Sequence, residues 1–438
     1  MFARALRIFL VTLALSSAAG CEKTDHDSID KWTRTEKGPG KLKSAVASEE
    51  LDPDLSAHAA ANMIKMGQEA DVRNMIETMS PGRRTALIGK LAPRLWDIAR
   101  IENEKKVPSG GPQPVAKDAL VMIRKWADDS LKQQIDGYLV DWYAVPSYKG
   151  REGLGQYTGP TVIRMVGPAM AKKLIDVLNG LIAAPGQEQS KFKIEDELLL
   201  GLAATGSPDA VKKLLDVARM DRGDPTLTTR VFGALYTAYL DPGGLFEILG
   251  PEPLVPSLDA IVALAKDDTQ PGKVVNTAIE LIRAIGAPKC FAPLAGMVGA
   301  PHKESRFKYV VATNALRCGG TKTILEVVKA MPDAGAYVED ELTGTVVLEI
   351  SRMAPRAEVL AAVRELLTTR STVAKWVAIE ALGAMKSVED KPRLLALAGN
   401  KDRLVGYWGE NAEGKSDPTL GQRAKELADK LGVVDKPK

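Results

Sequence analysis

The chain has 438 residues, 45% hydrophobic but only 5% aromatic, with 59 basic and 56 acidic side chains and three cysteines. That length suits two or three domains or one extended repeat array, with a core of Ala, Leu, Val and Ile rather than large rings. The charges are nearly balanced and interspersed, as in KKLLDVARMDRGD. This excludes a nucleic-acid binder, which needs clustered excess Lys and Arg to displace counterions.

At the N-terminus, Arg4 and Arg7 precede the apolar run IFLVTLAL at residues 8–15, and small residues lead to Gly20 and Cys21. A core of about 8 to 12 residues is too short to cross a hydrocarbon layer of about 30 Å, so the tract reads as an export signal. The ending SSAAGC resembles the lipobox of bacterial lipoproteins, with Ala18 where that family usually carries Leu. The resemblance implies cleavage between Gly20 and Cys21, diacylation of Cys21 and acylation of the new amino terminus. It implies a bacterial envelope protein anchored to a membrane by lipid on Cys21. Glu22 is not the Asp that retains enteric lipoproteins in the inner membrane, so the periplasmic face of the outer membrane is the expected location. Residues 1–20 then form the signal peptide, and residues 21–49 the lipidated cysteine with a polar tether containing GPG at 38–40. About 22 flexible residues would reach roughly 25 Å. Trp32 departs from linker composition and is expected to pack on the first repeat.

From residue 50 one phrase returns: an apolar helical run, a Gly, a short turn and a second apolar helical run. It reads NMIKMGQEADVRNMIETM from Asn62, LLLGLAATGSPDAVKKLLDVA from Leu198, IELIRAIGAPKCFAPLAGMV from Ile279 and NALRCGGTKTILEVVKAM from Asn314. Further copies start at Val162 and Val377, and weaker ones lie at Asp128, Asp241 and Ala354. The turn glycines are Gly67, Gly167, Gly206, Gly286, Gly319 and Gly383, most of them separated by near-multiples of 32 to 40 residues. Glycine after the last apolar position takes the left-handed cap conformation. Ser80-Pro81, Ser207-Pro208 and Asp417-Pro418 offer an N-cap followed by proline at the first helical position, and Ser387 with Asp390 resembles a capping box. In the second run of the third copy, Val211, Leu214, Leu215 and Ala218 share one face, with Lys212, Lys213, Asp216 and Arg219 opposite. No stretch alternates with period two, so almost no sheet is predicted.

These units resemble HEAT repeats, in the short Gly-turn form also found in phycobilin lyases, over roughly residues 50–400. The resemblance implies an all-α fold, an α-solenoid of about nine helix pairs closed by a C-terminal capping helix. It also implies that second helices line the inner side, a surface that binds macromolecules. The expected divisions are N-terminal helical repeats at 50–137, a connecting segment at 138–160, the repeat array at 161–400, and a loop with the capping helix at 401–438. A charged, then Pro/Gly-rich loop at residues 100–114 interrupts the first division.

The connecting segment YLVDWYAVPSYKGREGLGQYTGP concentrates rings among glycines. Trp142, Tyr143, Tyr148 and Tyr157 are candidate binding residues, because aromatics on a loop supply large contact area at low entropy cost. The other reading is that they plug a seam between parts of the fold. A second aromatic loop, residues 402–417, carries Tyr407 and Trp408. Cys290 and Cys318, 28 positions apart in neighbouring repeats, either form a disulfide in an oxidising compartment or act as two small buried hydrophobes.

His26, His58 and His302 are scattered, with no second ligand at helical spacing, so no metal site is expected. No His lies in a nucleophile motif, and the runs at 195–197 and 339–341 read as acidic helix starts. The expectation is a non-catalytic scaffold without cofactor whose partner is a protein or envelope polymer. A cell-wall or glycan binder using the aromatic segment is the alternative, and a phycobilin-lyase-like enzyme a more distant one.

Overall fold

The computed structural model describes residues 24–100, 110–145, 148–183, 194–220, 226–243, 247–304, 306–333, 337–409 and 414–432. The signal tract, Gly20 and Cys21 lie outside the described residues. The described residues are mostly helical, with no strand and one isolated bridge between Arg403 and Thr419. The chain divides into two units, Met1–Val177 and Leu178–Lys438.

The first unit opens with α1 (His26–Trp32) and α2 (Gly38–Ala47), where a polar tether was expected. The difference has a physical cause. Asp25 and Ser28 form a capping box that starts α1, and Ile29, Leu42 and Val46 are fully buried. A few apolar side chains at helical spacing outweigh a polar average. Trp32 is half-buried, with the Lys41 ammonium 5.3 Å from its ring centroid. Next come α3 (Pro53–Lys65) and α4 (Glu69–Thr78), α5 (Pro81–Ala99), α6 (Pro112–Arg124), α7 (Asp129–Tyr143), the short α8 (Lys149–Glu152) and α9 (Gly159–Val166). Helix α3 packs between α2 and α5, and α5 on α6. The following α10 (Ala171–Ala183) runs across the division between the units.

In the second unit the described residues form six helix pairs in series. They are α11 (Asp196–Ala204) with α12 (Pro208–Ala218), α13 (Leu227–Tyr239) with α14 (Leu258–Lys266), α15 (Gly272–Ala284) with α16 (Phe291–Val298), and α17 (Phe307–Gly319) with α18 (Ile324–Lys329). The last two pair α19, made of Glu339–Glu341, the π-helical Leu342–Val347 and Leu348–Arg352, with α20 (Arg356–Leu366), and α21 (Thr372–Ala384) with α22 (Lys391–Ala396). Helix α23 (Leu420–Lys430) ends the series. Each first helix packs on the next, α11 on α13 and so on through α21 on α23. Ion pairs repeat at the same interval: Arg230 with Asp196, Arg317 with Glu349 and Lys329 with Glu365 lie 34, 32 and 36 residues apart. Exposed pairs of this kind are worth about 0 to 1 kcal/mol each, so apolar stacking holds the array and the charges mark its register.

The turns follow the predicted chemistry in four copies, where Gly67, Gly167, Gly206 and Gly286 have φ of 76°, 75°, 62° and 82°. In the other two the left-handed residue is Gly320 (φ 70°) and Lys386 (φ 51°), not Gly319 and Gly383. Those two glycines serve close approach instead. A Cβ at Gly319 would lie 2.7 Å from the Phe291 ring, and one at Gly383 would lie 3.1 Å from Leu427 of α23. Ser80 and Ser207 precede a helix-starting proline without a side-chain cap bond. The final helix is capped by a Thr419/Gln422 box rather than by Asp417, whose carboxylate accepts the Gly406 amide at 2.9 Å. Ser387 donates to the Asp390 side chain at 2.8 Å instead of capping backbone. In the copy at Asp241 the second helix begins only at Leu258, because Pro251, Pro253 and Pro256 interrupt the preceding stretch.

Cys290, at the start of α16, is disulfide-bonded to Cys318, in the last turn of α17, with Cα atoms 6.2 Å apart. The chain-entropy cost of closing a loop of this length in the unfolded state corresponds to roughly 3 to 4 kcal/mol. A Cys290→Ser/Cys318→Ser double variant is therefore expected to lose about that much stability in urea unfolding at unchanged far-ultraviolet circular dichroism. Identical midpoints for the variant and the oxidised parent would contradict this.

Candidate functional site

The aromatic segment lies inside the first unit, and its rings face inward. Trp142 is 1% exposed, and Tyr143 and Tyr148 are 0% exposed. The Arg151 guanidinium sits 5.5 Å from the Trp142 ring and donates from Nη1 to the Trp142 carbonyl at 2.8 Å. Tyr143 and Tyr148 pack with centroids 6.1 Å apart, and Tyr138 stacks on Trp96 at 5.2 Å. Tyr157 is half-buried, and its backbone is clasped to α6 from both sides. Its carbonyl accepts from Lys117 Nζ at 2.6 Å, and its amide donates to Asp118 Oδ1 at 3.3 Å. Lys117 is fully buried and also meets Asp118 Oδ1 at 2.6 Å. Burial pulls the Lys117 ammonium below the ordinary lysine range, and the Asp118 carboxylate opposes that shift.

The glycines make this clasp possible. Gly155 has a φ of +87°, and a Cβ on Gly159 would lie 2.7 Å from the Tyr148 hydroxyl. The structure thus gathers Trp142, Tyr143, Tyr148 and Tyr157 in one place, but as packing under a folded-over loop. As a partner-facing aromatic surface the candidate set is corrected: three of its four rings are sealed from solvent.

The second aromatic loop is tied into the C-terminal end. Arg423 of α23 donates from Nε and Nη2 to the two Glu380 carboxylate oxygens of α21, each at 2.9 Å, and from Nη1 to Glu426 at 2.7 Å. Glu380 also accepts from Trp376 Nε1 at 3.1 Å. The Trp376 ring sits 5.8 Å from Tyr337 and 5.6 Å from Tyr407, and the Arg423 guanidinium lies 5.5 Å from Tyr407. Burial works against the Arg423 charge, but Glu380, Tyr407 and Glu426 together more than offset it and the guanidinium holds its proton more tightly than an ordinary arginine. Tyr407 is sealed and Trp408 is 41% exposed. The acidic runs start helices: Asp196 and Glu197 lie in the first turn of α11, and Glu339, Asp340 and Glu341 in that of α19.

Among the described residues of the second unit, one open feature is a groove of about 550 Å³ on second-helix residues. Lys212, Leu215, Asp216 and Arg219 of α12 form one wall, and Pro256, Ser257, Asp259 and Ala260 before and within α14 form the other. The α12 residues follow a one-face spacing, with Leu215 as buried floor and Lys212, Asp216 and Arg219 exposed. Arg219 reaches across to donate to the Ala260 carbonyl at 2.9 Å. The sequence placed these charges on the outer face of α12; the groove needs α14, whose start it did not locate.

Among the described residues no three His, Cys, Asp or Glu side chains converge as metal ligands, and no helix is long and apolar enough to cross a membrane. His302 stacks on Phe307 at 4.1 Å. His26 and His58, which sequence spacing left apart, meet side by side, with Nδ1 atoms 2.8 Å apart.

No protein-family model matches the chain, and no curated protein matches it. Among solved structures, an engineered protein is similar at 14% identity and a TM-score of 0.29, over 90% of this chain and 99% of that one. Kap121p is similar at 14% identity and a TM-score of 0.23, over 88% of this chain and 36% of Kap121p, and a triple mutant of Kap121p at 12% and 0.21. The chain spans about a third of the length of Kap121p. These superpositions are loose, and the fold stands on the chain's own helices. It is an all-α protein whose second unit is a solenoid of paired helices.

Because Glu380 is only 6% exposed, removing its partner strands a buried charge, which costs about 3 to 5 kcal/mol. Arg423→Met is expected to destabilise by that order and to speed amide exchange in α23. Adding Glu380→Gln should recover part of the loss, a non-additivity that a double-mutant cycle reads directly. Strict additivity would show that the two side chains act independently.

Proposed function

We propose that this chain is a lipid-anchored, non-catalytic scaffold of the bacterial envelope. In this reading Cys21 carries the anchor, the periplasmic face of the outer membrane is the site of action, and the second-helix groove of the second unit takes a segment of a partner protein. The observation that carries the proposal is the groove itself, with Leu215 as its apolar floor, Pro256 in its wall, and charges of both signs at Lys212, Asp216, Arg219 and Asp259. A mixed rim over an apolar floor suits a polypeptide, which offers both signs of charge and apolar side chains. A glycan reading loses its main support because Trp142, Tyr143 and Tyr148, three of the four candidate rings, are buried.

The test is photo-crosslinking in living cells, with a crosslinking residue placed at Lys212 or Asp259 and a control at Tyr236 of α13, which is 40% exposed. One protein adduct shared by the two groove positions and missing from the control is expected. Adducts of equal yield at all three positions, or none at the groove, would count against the site. The anchor has its own readout: the mature N-terminal peptide should begin at Cys21 and carry acyl mass, and an unacylated N-terminal peptide sinks that part alone.

A further inference from the structure

His26 of α1 and His58 of α3 are 32 residues apart in sequence and adjacent in the first unit, with ring centroids 5.0 Å apart and Nδ1 atoms at 2.8 Å. The outer nitrogen of each ring is engaged by a carboxylate. His26 Nε2 lies 3.3 Å from Asp54 Oδ2, and His58 Nε2 lies 2.8 Å from Asp30 Oδ1. Both carboxylates are themselves held, Asp30 by the Asn62 amide at 2.9 Å and Asp54 by Arg94 Nη2 at 2.9 Å. A ring that donates its Nε2 proton to a carboxylate presents, when neutral, a lone pair at Nδ1. His58, whose Nε2 lies 2.8 Å from Asp30, is such a ring, and at 2.8 Å its Nδ1 lone pair is met by a proton on His26 Nδ1. A metal ion can replace that proton, which then moves to His26 Nε2 beside Asp54.

We infer that His26 and His58 form a two-imidazole site for a divalent transition-metal ion of the zinc, nickel and copper class, bound through the two Nδ1 atoms. Imidazole nitrogen suits these ions. A carboxylate on the far nitrogen is the outer-shell partner that fixes the tautomer and raises the basicity of a metal-bound histidine, and it is present twice. Metal–nitrogen bonds of about 2.0 to 2.1 Å at a tetrahedral angle need the nitrogens about 3.3 Å apart. The rings now meet nearly head-on, with centroids 5.0 Å apart for nitrogens at 2.8 Å, so binding requires the half-exposed His26 ring to turn as well as to draw back by about half an ångström. Two protein ligands leave the remaining positions to water, so binding is weaker than in a closed structural site. The ion takes the place of the bridging proton and ties α1 to α3.

The experiment is calorimetric titration of zinc chloride into the full mature chain, freed of metal and carrying no histidine tag, with copper(II) electron paramagnetic resonance as a second readout. One equivalent is expected to bind, with a copper spectrum reporting two coordinated imidazole nitrogens. His26→Ala removes a half-exposed ring and leaves the fold intact by circular dichroism, and it is expected to abolish the saturable equivalent. Asp30→Asn keeps both ligands and should weaken binding by about 10- to 100-fold. Absence of saturable binding in the wild type, which would leave the pair bridged by a proton alone, overturns the inference. So does a His26→Ala variant that binds as tightly as the wild type.

Discussion

The structure of the second unit depends on burying each first helix from both sides. Helix α21 shows the constraint most fully: Val373, Ala374, Trp376, Val377, Ala378, Ile379, Glu380, Ala381 and Leu382 are all buried. Such a helix has no polar face to offer solvent and is stable only between two neighbours. This explains the scarcity of aromatics and the heavy use of Ala, since small side chains let helices approach on two flanks at once. It also explains why the series needs a terminator. In α23 a narrow stripe of Leu420, Gly421, Ala424 and Ala428 is buried while the rest faces outward. A Cβ at Gly421 would lie 2.5 Å from the Ala398 carbonyl, so glycine there sets how closely the cap can settle.

Buried charges occur where segments must be placed in one way only. Glu380 under α23 has Arg423 and Trp376 as partners, and Asp390, whose side chain is fully buried, accepts from Arg364, Arg393 and Ser387. Burial pushes the Asp390 carboxyl up, but the hydrogen bonds from Arg364 and Ser387 prevail and hold it below the usual carboxylate range. Asp390 follows the turn that puts Lys386 in the left-handed region, and its three partners fix that turn without glycine. Lys117 and Asp118 do the same for the loop that closes over Trp142 and Tyr143. Pairs of this sort add little net stability over apolar packing, because desolvation opposes the attraction. Their contribution is to make one arrangement of cap, turn or loop better than its alternatives.

What the sequence made legible follows from range. Local chemistry, such as apolar spacing in α12 or the turn at Gly206, depends on residues within one or two helical turns, and there expectation and structure agree. Over the described part of residues 21–49 the tether reading gives way to two helices because an average over composition hid Ile29, Leu42 and Val46, whose burial depends on packing within the first unit. Gly383 was legible as a glycine with a purpose but not as a contact glycine, since its clash partner Leu427 is remote in sequence; Gly319 meets the remote Phe291 as well as Thr323, four residues on. Of the two sequence readings of the 138–160 rings, the exposed surface fails because glycine-rich loops usually lie outside whereas this one is drawn inward by the buried Lys117, which gives no local signal.

The histidine pair shows where an unused signal lay. A search at helical spacing of three or four residues finds no partner for His26, yet His58 stands 32 positions on, as does Asn62 from Asp30. That interval also separates Arg317 from Glu349 and Lys173 from Asp141, which meet as ion pairs. In a chain that stacks first helix on first helix, the repeat length acts as a second neighbour distance, beside the 3.6-residue turn, and polar groups one repeat apart become contacts. The same logic bears on the groove reading proposed above. First helices spend their side chains on stacking, so the surface left free to vary in the second unit belongs to helices such as α12, with Lys212, Asp216 and Arg219 turned outward along one stripe. A partner that reads this protein would then read side chains supplied by consecutive pairs, and its recognition sequence would be spread over the chain at the repeat interval rather than gathered in one motif.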